Sequence, residues 1–461
     1  MNIKFNFYSL LNNLENINYN NLYEFFSKNH KYNLFVKKYN DDEHLLLIHN
    51  NQNMLKEKDN EIYNECRSII IDTYDISKPK IVSYSHDNVL YSTIEEYVKQ
   101  EQEQEQEQEN DIIEESYEGS MVNVFNYNDK WYFSSTKCPS INNSYFFTDN
   151  KSHGDMLDEI LKQYYPNTEN VRDEFVKNLD KNKCYFFIIL HYENKYIVDY
   201  SNIFGDNYKK LVHIITRDKE TQIEEYNTLK LDFLIKPKKI DNLLEAKEWL
   251  NNNNNNNICC KEGLIIKRKN LENNKNILIK IPSNQYTSIR IEKPNYSNIR
   301  IGCIEIFQRN NLTYNPDNYL QKYYPDKIQS NLDITGILHF IFKNLSYELY
   351  NIYTYFTDYN VTNGKYEKKN IEIFNKLFSN HQLKTFNNQI LKLQFYQYKY
   401  FKKSFRQIDI LNHLRNHTCP KDIYNMIKEH QVLVVSEHFT EIFKTFENLE
   451  KINKYVNIYL N

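Results

Sequence analysis

The sequence predicts an α+β protein, with antiparallel sheets within residues 65–300 and an all-helical region after them. Three observations carry this. Residues 65–300 alternate short β-branched and aromatic runs with polar turns, which is hairpin patterning. From residue 301 the apolar spacing changes to that of helix faces. At 461 residues the chain exceeds one ordinary core. The expected layout is a helical and strand cap over 1–64, a β-rich domain over 65–300 and a helical domain over 301–461.

Taken in order, Phe7, Leu10, Leu11 and Leu14 have helical spacing, and Leu22, Phe25 and Phe26 repeat it. Leu45-Leu46-Leu47-Ile48 reads as a strand. Glu65-Cys66-Arg67-Ser68-Ile69-Ile70-Ile71-Asp72 reads as an arginine entering a buried strand, with Lys80 to Tyr84 as its hairpin partner. Met121 to Phe125 turns at Asn126–Asp129 into Lys130 to Lys137. A helix around Met156, Ile160, Leu161 and Tyr164 stops at Pro166. Tyr185 to Leu190 is expected to return as Tyr196-Ile197-Val198, with Leu211 to Ile215 a further strand. Leu243 to Leu250 reads as a helix, and Gly263 to Lys267 and Ile277 to Ile281 as paired strands. Helix faces follow near 337–357 and 386–401, and at Phe439, Ile442, Phe443, Phe446, Leu449 and Val456. The Gln-Glu repeats at 100–109 and the seven Asn at 251–257 are low-complexity inserts expected in exposed loops.

Composition excludes several classes. A net charge of −3 rules out a globally basic nucleic-acid binder. Seven scattered cysteines without a Cys-x-x-Cys pair argue against a disulfide framework or a zinc ribbon, and for a reducing compartment. Cys259-Cys260 reads as two small core residues leading into a strand. The longest strongly apolar run, Cys184 to Leu190, is far too short to span a bilayer, so no membrane partner is expected.

Glycine is scarce, with seven residues where average usage of about 7% would give roughly 32. Two of the seven follow a glutamate and precede an apolar run: Glu118-Gly119 and Glu262-Gly263-Leu264-Ile265-Ile266. Taken singly, each pair also suits a plain hairpin turn. Together with their neighbours they carry a resemblance. Arg67 to about Tyr286 is similar to the adenylyltransferase domain of ATP-dependent RNA ligases of the bacteriophage kind, also carried by large DNA viruses. These belong to the covalent nucleotidyltransferases. Cys66-Arg67-Ser68-Ile69-Ile70 resembles the upstream arginine motif. Ser116-Tyr117-Glu118-Gly119-Ser120 resembles the first motif, Lys-x-Asp-Gly-Ser. Lys130 to Thr136 resembles the hairpin after it. Phe187 to Val198, with Glu193-Asn194-Lys195, resembles the third-motif strand and turn. Glu262 to Ile266 resembles the fourth motif, and Lys280 to Tyr286 the fifth.

The resemblance implies antiparallel sheets around a nucleotide cleft. It implies nucleotide-binding roles for Arg67, Glu118, Gly119, Glu262 and Lys280, with Ser116 at the nucleophile position. It implies a nucleotide or RNA partner, with ATP and Mg2+ as cofactors of an active enzyme. A cytoplasmic location, or host cytoplasm or virion for a viral protein, goes with it. No residue is assigned to a metal. The departures fall on the chemistry. The family's lysine takes AMP as a phosphoramidate, because an amine attacks when deprotonated and leaves when reprotonated. Ser116 cannot form that labile bond, and no lysine lies between Lys99 and Lys130. The third-motif carboxylate falls on Ile188. In the fifth motif, the second lysine falls on Pro282, or Lys280 is the second and Leu278 the first.

Three functions are consistent with these residues. The first is a ligase-like fold with a degenerate site that binds nucleotide or RNA. The second is an active RNA ligase or end-modifying enzyme with a displaced nucleophile. The third is a structural or virion-associated scaffold. The C-terminal helices offer a surface for a protein partner. Residues 261–300 hold nine basic and three acidic side chains, +6 in all, with Tyr286 and Tyr296 interleaved. Such a patch suits phosphates and stacked bases, and equally a solvated face. Arg67 could instead pair with Asp72, and His191 reads as a turn or core histidine rather than a catalytic base.

Overall fold

A computed structural model describes residues 2–435 apart from 13, 15, 30–31, 51–59, 104–110, 146–150, 227–228, 252–258, 260, 295, 297, 311–313, 325–332, 361–364 and 401–404. The chain divides into two compact units, Met1–Ile291 and Glu292–Asn461.

Three sheets build the first unit. In the first, β1 (Leu34–Lys38), β2 (Leu45–Asn50), β3 (Ile69–Asp72) and β4 (Lys80–Tyr84) lie antiparallel in chain order. This sheet crosses the expected boundary at 64/65, because β2 pairs with β3 from Ile48↔Ile69 to Leu45↔Asp72. The next strands are β5 (Leu90–Tyr91), β6 (Ile112–Ser116), β7 (Ser120–Tyr127), β8 (Lys130–Ser135), β9 (Lys183–His191) and β10 (Lys209–Asp218). After them come β11 (Glu224–Glu225), β12 (Lys239–Ile240), β13 (Gly263–Lys269) and β14 (Asn276–Pro282). The second sheet has the order β11-β10-β9-β7-β8 and the third β12-β6-β13-β14-β5. All pairings are antiparallel except β14 with the two-residue β5.

Alternation fixes which face each strand buries. One face of the second sheet, with Val122, Val124, Phe187 and Ile189, packs on the helices His153–Lys162 and Val171–Val176. The first of these helices starts at a capping box, Ser152 with Asp155. Part of the other face, with Phe125, Tyr132, Phe186 and Ile215, meets Leu45, Leu47, Ile70 and Val82 of the first sheet. The third sheet buries Leu264, Ile266, Ile279 and Ile281 against Ala246 and Leu250 of the helix Leu243–Asn251.

Two expectations fail locally. Glu65 ends a short helix, Glu61–Glu65, and the strand begins only at Ile69, so Arg67 stands in the turn between them. Tyr196-Ile197-Val198 is not a strand. Tyr192–Asn194 forms a 3-10 turn, and β9 takes β10 and β7 as its partners. The backbone N–H groups of Ile197 and Val198, which a strand would use, donate instead to the Glu118 carboxylate, both at 2.7 Å. The inserts fall mostly outside the described residues, as does the face at 439–456. The helix Ile94–Glu103 runs into the start of the first insert.

The second unit is helical apart from one hairpin, Thr357–Asn360 with Lys365–Lys368, among the described residues. Its core gathers around the helix Ile334–Phe356, which buries Leu338, Phe342, Leu345 and Leu349. The helix Lys384–Tyr400 adds Phe386, Ile390 and Leu393. Among the described residues, no helix is long and apolar enough to cross a membrane.

Candidate functional site

The predicted residues meet between the second and third sheets. Ser116 ends β6, opposite Gly263 at the start of β13. Gly263 has φ +153°, and a Cβ there would lie 2.2 Å from the Ile281 carbonyl oxygen on β14. Glycine is therefore required for β13 and β14 to approach, and Glu262 beside it is set at the mouth of the sheet. Gly119 serves the same purpose between β7 and β9, where a Cβ would meet Ile189 O at 2.4 Å.

Glu262 is the hub, buried to 4% exposure. The Ser116 hydroxyl donates to its Oε2 at 2.5 Å, and the Lys280 ammonium pairs with Oε1. Glu118 lies close enough for the two carboxylates to repel. Desolvation, then the Glu262 charge, pushes the Glu118 pKa above the usual carboxylate range. Besides the two backbone donors, Glu118 accepts from the Tyr286 hydroxyl at 2.9 Å. Its own N–H donates to Tyr200 Oη at 2.7 Å. Tyr286 is thus a buried hydrogen-bond donor to Glu118 rather than a free stacking platform, and burial drives its pKa far upward. Asn194, in the turn after β9, donates to Ser120 Oγ at 2.8 Å, which ties that turn to the start of β7.

Ile188 projects from β9 into a half-buried cluster with Tyr117, Tyr196 and Ile214, next to Tyr200, Val212 and Tyr286. The face on which a carboxylate was expected is therefore lined by isoleucines and tyrosine rings. Leu278 is buried, and Pro282 pairs with Gly263 on β14, so of the three positions weighed for the expected lysines only Lys280 carries a charge.

Arg67 faces Glu262, and its Nε is buried without a hydrogen-bond partner. Desolvation lowers its pKa. No ion pair joins it to Asp72 among the described residues; Asp72 accepts instead from the Tyr74 N–H at 2.8 Å. Around Arg67 lie groups that sequence reasoning missed. Lys137, just past β8, has its pKa lowered by desolvation, then by Arg67 and Lys37. His86 is pushed well below the usual imidazole range by burial and by Arg67. His49 falls to about 4 through burial, and its Nε2 is buried without a partner. Lys137 follows a motif-like hairpin, which is a usable signal. The histidines carried none, because only the folded first sheet brings them here.

The +6 segment is mostly neutralised from elsewhere in the chain. Lys267 bridges Glu114 and Glu224 at 2.9 and 2.8 Å. Arg268 pairs with Asp111, and Lys275 with Glu65 and Asp87. Tyr296 packs half-buried on the core of the second unit. A cavity of about 500 Å3 lies at the far end of β13, beside Lys267, Glu224 and Tyr226. His191 is buried between Glu159 and Glu193, whose carboxylates Lys151 and Lys209 also pair. These three groups come within cation-binding distance of one another on the helix-covered side of the second sheet.

The orphaned Arg67 Nε and the depressed Lys137 ammonium suit a phosphate, which would supply their missing counter-charge. A divalent cation fits less well. Ile188 removes one expected carboxylate, and Glu262 is already held by Ser116 and Lys280.

Fold and cleft together define an α+β protein with antiparallel sheets and a helical C-terminal unit. Among solved structures the chain is similar to ATP-dependent ligases. A putative ATP-dependent DNA ligase from Aquifex aeolicus matches at 13% identity and TM-score 0.33, covering 68% of this chain and 71% of that one. An archaeal ATP-dependent RNA ligase matches at 9% identity and TM-score 0.37, covering 68% and 74%. A Naegleria gruberi RNA ligase mutant with AMP and Mn matches at 11% identity and TM-score 0.31, covering 45% and 58%. No protein-family model and no curated protein matches.

Proposed function

We propose that this is a ligase-like nucleotidyltransferase fold with a degenerate active site, which binds nucleotide or RNA without forming a lysyl-AMP. One observation carries the reading: the nucleophile position is a hydroxyl, Ser116 Oγ, donating to the buried Glu262 carboxylate. A seryl adenylate would be a phosphodiester. It lacks the nitrogen whose reprotonation makes the lysyl adduct leave. Support for retained binding comes from Arg67, whose Nε is buried without a partner, and from Lys137 beside it, whose ammonium is disfavoured by burial. Arg67 and Lys137 would hold phosphate, Lys280 would hold Glu262 in place, and the tyrosine and isoleucine wall around Ile188 would take the base or ribose. ATP is the nucleotide the sequence resemblance favours, with its charge met by these cations.

The test is incubation with labelled ATP and with labelled GTP, followed by a denaturing gel and equilibrium binding. No covalent band is expected, with binding that weakens as salt rises. Arg67→Ala should lower affinity roughly tenfold, the loss of one charge-assisted contact. An acid-labile adduct would overturn the reading.

A second reading, an active enzyme with a displaced nucleophile, is favoured by one group. Lys137 is the amine near the cleft whose pKa is pushed down, as a nucleophilic lysine requires. Mass spectrometry of any adduct, with Lys137→Ala beside it, separates the two. Absence of all nucleotide and RNA binding would favour a scaffold instead.

A further inference from the structure

The helix Lys384–Tyr400 buries one face in the core of the second unit through Phe386, Gln389, Ile390, Leu393 and Gln397. Among the described residues, its opposite face is not covered. Leu391, Phe395 and Tyr398 fall at i, i+4 and i+7 and are 38%, 67% and 69% exposed, with Tyr400 at 58% just beyond. That spacing sets them in one stripe, about 10 Å from Leu391 to Tyr398 at the helical rise. Aromatic side chains this exposed gain nothing from the fold that presents them.

The charge beside the stripe has one sign. The helix carries Lys384, Lys392 and Lys399 and no carboxylate. In sequence the carboxylate-free stretch runs from Ile373 to Ile408 and includes seven lysines and arginines, in a chain whose net charge is −3. Lys392 and Lys399 flank the stripe one position after Leu391 and Tyr398. Residues 292–435 hold nineteen basic against twelve acidic side chains, so the excess is concentrated on this helix and the chain just after it.

We infer that this face is a platform for single-stranded nucleic acid, with bases stacking on Phe395 and Tyr398 and phosphates meeting Lys392 and Lys399. A base offers a π-face to each ring and a phosphate to each ammonium, which matches both features at once. Recognition of this kind tolerates sequence, because stacking reads no hydrogen-bond pattern. The inference extends the RNA-binding reading above to a surface that shares no residue with the cleft.

The test uses the full chain and a short fluorescein-labelled single-stranded RNA of mixed sequence, read by anisotropy across a salt series. Phe395→Ala and Tyr398→Ala should each weaken binding about fivefold to a hundredfold, the range for one lost base stack. Lys392→Ala with Lys399→Ala should reduce the slope of log affinity against log salt by roughly 0.7 per lysine. All four side chains are away from the core, so folding should survive. Binding by wild type with all variants unchanged would overturn the inference, as would no RNA binding by wild type. Loss of a self-association on Phe395→Ala, seen by sedimentation, would also overturn it and assign the face to a second copy of the chain. ATP binding by the cleft, measured separately with Arg67→Ala, distinguishes failure here from failure of the cleft reading: the helix variants should leave it unchanged.

Discussion

On the proposed reading, Ser116 stands where the nucleophile would be, and two other positions decide whether changing it matters. The hydroxyl already has a partner in Glu262, and Lys280 holds that carboxylate's other oxygen. A lysine placed at 116 would enter a site with one carboxylate and one ammonium in contact, beside a second carboxylate, Glu118, that desolvation inclines toward neutrality. On the proposed reading, the position of the third-motif carboxylate remains Ile188. Ser116→Lys alone should therefore yield little or no adduct with labelled ATP. Ser116→Lys with Ile188→Glu should yield more, read as an acid-labile band. A strong adduct from the single variant would show that Ile188 does not occupy the position assigned to it.

At the scale of elements, the ion pairs that neutralise the 261–300 segment hold the N-terminal helix in place. Lys275 pairs with Glu65, which is fully buried, and Glu65 also accepts from the Asn6 and Phe7 backbone N–H groups at 2.9 and 2.8 Å. Removing Lys275 leaves a buried carboxylate without its cation, a change that costs about 3–5 kcal/mol where such pairs are broken. Lys275→Ala should lower the melting temperature markedly and raise amide exchange in Phe7–Leu11. Lys275→Ala with Glu65→Leu should recover part of the loss, because the uncompensated charge is then gone too.

These pairs also show what was legible in the sequence. Strand runs such as Leu45–Ile48, Met121–Phe125 and Gly263–Lys267 are local patterns, and each forms a strand in the fold. The glycines of the two Glu-Gly pairs were legible because scarcity left them only where backbones must touch. The fate of the +6 segment was not legible, since Glu65, Asp111, Glu114 and Glu224 come from far along the chain. The missing strand at Tyr196–Val198 has the same origin: Glu118, far upstream, takes the N–H groups that a ladder would use. His49 and His86 reach the cleft only through the pairing of the first sheet.

At the scale of the whole first unit, buried histidines make stability fall as pH falls: His86 and His191 have lowered pKa values, and so do three others. His49, His153 and His213 are 7%, 6% and 9% exposed, and each has its pKa lowered from 6.5 to about 4. Desolvation is the main cause in all three, and the cations Lys37 and Lys137 add to it at His49. His153 Nε2 and Nδ1 face the Ser120 and Ser144 hydroxyls at 2.9 Å, and His213 Nε2 faces Thr216 Oγ1 at 2.8 Å. All three are neutral in the folded and the unfolded chain at neutral pH, so the stability linked to them is fully present there. As pH falls through 6.5 the unfolded chain takes up protons that the folded chain refuses, and the loss continues until about 4. Each group can contribute up to about 3 kcal/mol of that loss, since a tenfold change in a protonation equilibrium is worth about 1.4 kcal/mol. Both tryptophans, Trp131 and Trp249, lie in this unit, so their fluorescence follows its unfolding alone. The urea midpoint should drop between pH 7 and pH 5. His153→Gln should flatten that drop, even if it lowers the midpoint at pH 7 by disturbing the two hydroxyl contacts. An unchanged midpoint in wild type would mean that these imidazoles protonate inside the fold and that the first unit opens readily enough to let water reach them.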